Sequence, residues 1–479
     1  MFLRRFYDDG LAQASYLIGC AATGEAIVID ANRDLEPYLA VAAAEKLRIT
    51  HVTETHIHAD YVSGSRELAR ATGARLFLSA EGGPDWQYAF AKEDGATLVR
   101  DGDVITVGNI RLEVMHTPGH TPEHLSFLVT DTAGADAPIG IATGDFVFVG
   151  DVGRPDLLER AAKVANTMEA GARQLFKSLD RFRALPEWVQ VWPGHGAGSA
   201  CGKALGAVPT STVGYEKRFN WGVGTTDEAD FVEMVLAGQP EPPLYFAQMK
   251  RINKEGPRIL GGFPQPAHAA LPALRKALAD GVAVIDTRHA TDFAESHVPG
   301  TINIPLNKSF STWAGWLVRY DIDIHLIAED QAAAQRAVRE LVMIGLDRVT
   351  TWYAPSVIEE FAMAGGTPGT VAKVDVAALA PRLARDEVTL IDVRNRTEYE
   401  AGHLPGARHI PVGYLPERLA EIPRDRPVVL QCQSGGRSAI AASVLQRLGV
   451  TGVLDLVGGF AAWEAAGREV VRESPLVEA

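Results

Sequence analysis

One stretch of this sequence occurs twice. Val284-Ile285-Asp286-Thr287-Arg288 aligns with Leu390-Ile391-Asp392-Val393-Arg394 at an offset of 106 residues, and the same offset pairs His297 with His403, Pro299 with Pro405, Gly300 with Gly406, Ile304 with Ile410 and Pro305 with Pro411. A duplicated sequence folds as two similar units. Each copy opens with an apolar strand ending in Asp-x-Arg, passes a polar helix start and a His-x-Pro-Gly turn, and meets a second short strand. With the helices that follow, such as Ala439 to Leu448, each reads as an α/β domain of roughly 100 residues around a parallel sheet. Units of this size fold alone and are not solenoid repeats. The copies are assigned to 268–365 and 370–475, after a Gly- and Pro-rich linker at 246–267.

The second copy carries a nucleophile. Val428 to Ser438 reads as a strand, a glycine-rich turn (Cys432, Gln433, Ser434, Gly435, Gly436, Arg437) and a helix starting near Ser438. Such a turn aims backbone N–H groups and the positive end of a helix dipole at the sulfur, which favours a nucleophilic thiolate able to hold a persulfide. Gly435 and Gly436 allow positive φ, and Arg437 is expected to pair with an anionic substrate. A Cys-x5-Arg phosphatase loop would put arginine at 438, where this chain has Ser438, so the shorter loop suits sulfur better than phosphate. The first copy has no cysteine, and its corresponding strand, Ile324 to Ala328, runs into Glu329 and Asp330. Two carboxylates there repel an anion, so this copy is read as catalytically dead and retained for packing or for shaping a path. The signatures I-D-x-R, G-H-x-P-G-A and C-x-S-G-G-R-S resemble the rhodanese family of sulfurtransferases. That resemblance implies a Cys432 persulfide and thiosulfate or sulfite as reactants.

The N-terminal 245 residues carry a second chemistry. His56-Ile57-His58-Ala59-Asp60 follows the β-type run Ile49 to Thr53, and His120 in T-P-G-H, Asp145 in T-G-D and His195 in P-G-H lie on later Gly-punctuated turns. Imidazole and carboxylate donors at strand ends suit divalent Zn or Fe. Strands such as Ala14 to Ile18, Glu25 to Asp30, Leu112 to Met115 and Leu125 to Thr130, alternating with helical stretches such as Leu157 to Leu179, suit an α/β layered sandwich. The order of these motifs resembles the metallo-β-lactamase superfamily, which implies an αββα sandwich. The superfamily pattern H-x-H-x-D-H ends here in Tyr61, weakening a second metal position. A single metal on His56, His120 and Asp145, with open positions, is the facial arrangement of non-haem Fe(II) chemistry.

Both halves together resemble the persulfide dioxygenase and rhodanese fusion proteins, also through Gly150 to Leu157 (G-D-x-G-R-P-D-L) and Pro193 to Lys203. The resemblance implies one Fe(II) per chain, a thiol persulfide such as glutathione persulfide, and O₂, with both oxygen atoms passing to the terminal sulfur. His58, Asp60, Tyr61 and His195 are expected to line the pocket or orient the ligands. Arg154 is expected either to grip the substrate's carboxylates or to pair with Asp151 or Asp156. Cys201 is expected to face the metal pocket and to accept or relay a persulfide, or else to be a buried thiol beside a turn. A glyoxalase II-like zinc thioester hydrolase with a sulfur-carrying rhodanese tail uses the same ligand motifs and is the alternative.

Length and charge set the remaining expectations. A chain of 479 residues suits about three domains. A net charge of −14, with no run of Lys or Arg, excludes nucleic acid as a partner. No apolar run approaches a membrane span and the segment Met1 to Tyr7 is too short for a signal peptide, so a cytoplasmic enzyme and a homo-oligomer are expected. Three scattered cysteines, Cys20, Cys201 and Cys432, exclude a disulfide framework, and Cys20 is read as a core thiol.

Overall fold

The structure is a computed structural model that describes residues 1–160, 167–203, 205–239 and 241–472. The chain divides into two compact units, Met1–Gly262 with Val342–Gly345, and Phe263–Leu341 with Leu346–Ala479.

The first unit contains two six-stranded sheets. One runs in spatial order Phe2–Asp8, Gln13–Cys20, Glu25–Ile29, Arg48–Thr53, Arg75–Ser79, Thr97–Val99. The other runs Ser211–Thr212, Gln190–Pro193, Gly140–Gly144, Leu125–Asp131, Ile110–His116, Val104–Val107. Side chains alternate between the faces of a strand, so each strand feeds two cores. Tyr16, Ile18, Ile27 and Ile29 meet Leu112, Val114, Phe127 and Trp192 between the sheets. Leu17, Ala26, Val28 and Val52 instead pack outward against Tyr38, Ala42 and Leu68 of the helices Glu36–Ala44 and Ser65–Thr72. On the far side, Ile141 and Val191 pack against Leu175, Leu179 and Phe182 of the helix Met168–Arg183. These three apolar layers make the αββα sandwich.

Two expectations for this unit change. The helix expected over Leu157 to Leu179 appears as Leu157–Arg160 and Met168–Arg183, with 161–166 outside the described residues. The segment expected to link, 246–267, opens with the helix Phe246–Glu255, whose Met249 is fully buried. Its Asn253 amide donates to the carbonyls of His58 at 2.8 Å and Tyr61 at 2.7 Å, so this helix is part of the first unit. Phe246, Met249 and Asn253 lie at helical spacing, a periodicity that the nearby Gly and Pro residues mask in the sequence.

The second unit holds two five-stranded parallel sheets of identical strand order. In space they run Ala267–His268, Val349–Tyr353, Ile324–Ile327, Ala283–Asp286, Ile302–Asn303 and Ala372–Val374, Val453–Leu456, Val428–Gln431, Thr389–Asp392, Arg408–His409. The repeat motifs do structural work. Arg394 grips buried Asp392 through Nη2 at 2.7 Å and donates to the Gly402 carbonyl at 2.6 Å; Arg288 does the same with Asp286 at 2.7 Å and the Ser296 carbonyl at 2.9 Å. His403 stacks on Tyr399 at 3.8 Å and His297 on Phe293 at 3.9 Å. Each Asp-x-Arg thus ties the end of a strand to the chain leading into the His-x-Pro-Gly turn. Among the described residues no helix is long and apolar enough to cross a membrane.

Candidate metal centre and thiol loop

The turns after the strands of the first unit bring His56, His120 and Asp145 together, all buried. Asp145 Oδ2 lies 3.9 Å from His56 Nε2 and 3.4 Å from His120 Nε2. Asp145 Oδ1 lies 3.4 Å from His195 Nε2, which in turn stands 3.2 Å from Asp60 Oδ2. Asp60, His195 and Cys201 form a second buried donor trio.

The tautomers follow from the partners. His120 Nδ1 faces the Arg154 carbonyl at 3.0 Å and His195 Nδ1 the Ala12 carbonyl at 3.0 Å. A carbonyl only accepts, so each Nδ1 carries a proton; burial keeps His120 neutral, so its Nε2 presents a lone pair, whereas the Asp145 and Asp60 charges raise His195. His56 Nδ1 sits 2.9 Å from the Thr55 hydroxyl, which donates to Asp30 Oδ2 at 2.8 Å, giving His56 the same tautomer. Two bare Nε2 atoms, those of His56 and His120, therefore face one carboxylate. Neither Asp145 oxygen nor His56 Nε2 has a hydrogen-bond partner, although all are buried. Buried, unpaired acceptors converging on one point fit a cation. Burial and the neighbouring imidazoles hold His56 well below the ordinary histidine range, which keeps it in the neutral form a metal requires.

His58 does not join either trio: its Nε2 meets Asp30 Oδ1 at 3.1 Å and its ring lies 4.2 Å from that of His56. Burial opposes its charge, but Asp30 raises it to about 9. Tyr61 packs on His58 at 4.5 Å and donates to the Asp30 carbonyl at 3.3 Å. Of the two roles expected for His195, it lines the pocket, beside Asp145 and Asp60. Orientation comes from Asp30, Thr55 and backbone carbonyls. Asp30, at the end of the strand Glu25–Ile29 with φ of 57°, went unnoticed in the sequence, where a strand ending in Asp was its signal. His124 was missed as well; its Nε2 accepts the Asp145 amide at 3.1 Å, and the second histidine of H-T-P-E-H was the clue.

Arg154 is not an anion grip. It is fully buried, forms a two-pronged bond to Asp156 at 2.8 and 2.7 Å, and donates to the Ala200 carbonyl at 2.9 Å. It ties the turn that orients His120 to the chain before Cys201. Of the two readings of this residue, the ion pair with Asp156 is the one observed. Cys201 does lie in the centre, and burial with the Asp60 and Asp145 charges pushes its thiol up.

The thiol loop sits between the strand Val428–Gln431 and the helix Gly436–Arg447. The Gly435 N–H donates to Cys432 Sγ at 3.1 Å, and the Ser438 hydroxyl stands 3.6 Å away. Gly435 alone takes positive φ, at 109°; Gly436 begins the helix two residues before the expected start. Arg437 is also reassigned. Both terminal nitrogens bind Glu398, at 2.6 and 2.7 Å, so its charge is already matched within the protein. The loop is anchored from behind by the Gly458-Gly459 turn: Phe460 N–H donates to the Cys432 carbonyl at 2.7 Å, and a Cβ at Gly459 would stand 2.1 Å from that oxygen. In the first copy, Asp330 caps the corresponding helix by accepting the Ala333 N–H at 2.7 Å, so the place of the thiol loop is taken by a helix cap.

A cavity of about 670 Å³ opens over Cys432, lined by loop 432–437, by Lys373 and Asp455, and by His289 and Trp313 of the first copy. It falls within the roughly 300–1,000 Å³ range of small-molecule sites.

Residues 8–195 match the metallo-beta-lactamase superfamily and residues 375–466 the rhodanese-like domain. A crystal structure of a metallo-beta-lactamase from Staphylococcus aureus is 46% identical, covering 74% of this chain and 99% of that one, with a TM-score of 0.68. A sulfurtransferase of Allochromatium vinosum is 40% identical over 21% of this chain and 95% of its own length. A hydroxyacylglutathione hydrolase of Rhodospirillum rubrum is 31% identical over 38% of this chain, which spans 60% of that protein.

Proposed function

Because the chain belongs to the metallo-beta-lactamase superfamily and ends in a rhodanese-like domain, we propose that it is a persulfide dioxygenase coupled to a sulfurtransferase. The first site converts a thiol persulfide, O₂ and water to thiol and sulfite. The second, in 370–475, exchanges sulfane sulfur through Cys432, so that its persulfide and sulfite give thiosulfate and the free thiol. The copy at 268–365 is not catalytic.

The observation that carries the reading is the joining of the His56, His120 and Asp145 trio to a thiol loop on one chain. A mononuclear Fe(II) bound by these three residues would supply open coordination positions and a change of oxidation state, of which zinc offers only the first. The chain itself fixes the imidazole tautomers through Thr55 and the Arg154 carbonyl, and buries the donors from water. Asp60, His195 and Cys201 line the side of Asp145 away from His56 and His120. Fusion raises the effective concentration at Cys432 of the sulfite made at the first site.

The test is O₂ uptake by anaerobically iron-loaded protein given glutathione persulfide, with wild type beside Cys432→Ser. Uptake yielding thiosulfate in the wild type and sulfite in the variant supports both activities. The similarity to a hydroxyacylglutathione hydrolase and the second donor trio favour one other reading, a zinc thioester hydrolase. No O₂ uptake, with bound zinc and cleavage of a glutathione thioester, would establish it instead.

A further inference from the structure

Asp455 lies on the strand Val453–Leu456, is 7% exposed and lines the cavity over Cys432. Its Oδ1 is buried without any hydrogen-bond partner. Leaving a carboxylate oxygen so costs stability and calls for a reason. The Ser438 hydroxyl, in the first turn of the helix after the thiol loop, donates to the Gly435 carbonyl at 3.1 Å and stands 3.6 Å from Cys432 Sγ.

We propose that Asp455 is the general base that takes the proton of an organic thiol as that thiol receives the sulfane sulfur held on Cys432. The proposal rests on the sulfurtransferase reading of the loop. As the acceptor R–SH bonds to the outer sulfur of Cys432–S–SH, its proton passes to the Asp455 carboxylate. The Cys432–sulfur bond breaks and its electron pair stays on Sγ. The products are R–S–SH, the Cys432 thiolate and protonated Asp455, and the transferred sulfur keeps its oxidation state. The new thiolate is held by the Gly435 N–H, 3.1 Å from Sγ.

The surroundings suit a base that works near neutrality. Burial pushes the Asp455 carboxyl up to about 6, against the pull of Ser438 and of Lys373, its partner on the adjoining strand. The other charged or titratable groups lining the cavity are Cys432, Arg437, which Glu398 neutralises, and His289 of the first copy. A base with a value close to working pH is the effective one.

The test compares single-turnover discharge of persulfide-loaded protein by glutathione and by sulfite, an acceptor without an S–H proton, in wild type and Asp455→Asn. The ratio of the thiol rate to the sulfite rate should fall about 100-fold in the variant, the lower range for general-base catalysis. The wild-type thiol rate should rise with pH through about 6 and the variant should lack that limb. Equal losses with both acceptors, or an unchanged pH profile in Asp455→Asn, would overturn the proposal. Failure of wild-type Cys432 to load with persulfide at all would overturn the sulfurtransferase reading beneath it.

Discussion

His195 Nε2 lies 3.4 Å from Asp145 Oδ1, while the other oxygen of the same carboxylate faces His56 and His120. One carboxylate thus stands between two donor trios, only one of which contains the ligands assigned to the catalytic metal. Asp145→Asn and His120→Ala should lose bound metal and O₂ uptake together. His195→Ala should retain most of its metal, with affinity lowered by about 10–100-fold, as for a residue that acts around a site rather than in it. Metal content after dialysis, read beside activity, checks the difference.

Arg154 and Asp156 are both fully buried. Breaking such a pair costs about 3–5 kcal/mol, and Arg160, 3.2 Å from the same carboxylate, should keep Arg154→Ala near the lower end. The variant should melt at lower temperature, with the KM for persulfide little changed at temperatures where it stays folded. A raised KM at unchanged stability would restore the anion-grip role.

Glu398 holds Arg437 by two bonds. Burial alone would raise this carboxyl, but the Arg437 hydrogen bonds and charge hold it below the ordinary glutamate range. The stabilisation is therefore complete above the unfolded value, about 4.3, and is lost as pH falls through the lower folded value. Thermal melting between pH 3 and pH 6 should show the C-terminal domain losing stability on acidification, with a shallower slope in Glu398→Gln.

Gly459→Ala combines a left-handed backbone, φ 57°, with a Cβ 2.1 Å from the Cys432 carbonyl. The thiol loop must shift to accept it. Transfer of sulfur from thiosulfate should fall at least tenfold, while O₂ uptake by the first unit is retained, as measured in parallel on one preparation.

The sequence exposed those features that depend on local spacing. The repeat led to two sheets of the same strand order because Asp-x-Arg and His-x-Pro-Gly act within a few residues of one another. The trio of His56, His120 and Asp145 was legible because each member sits in a short motif at a strand end. Contacts between distant segments were not legible. Asp30 reaches Thr55 and His58 across adjoining strands, Asn253 reaches His58 and Tyr61 from nearly 200 residues away, and Glu398 claims Arg437 across 39. The misassignment of Arg437 follows from this. A guanidinium beside a reactive motif suggests substrate binding until the partner carboxylate is located, and for Arg437 that partner is remote in sequence.

The most direct measurement is the reaction of the iron-loaded Cys432→Ser protein with glutathione persulfide under ¹⁸O₂, with sulfite trapped and weighed by mass spectrometry as it forms. The account expects sulfite carrying two labelled oxygens and one O₂ consumed per persulfide. Sulfite without label, or persulfide consumed at the same rate in the absence of O₂, would contradict it.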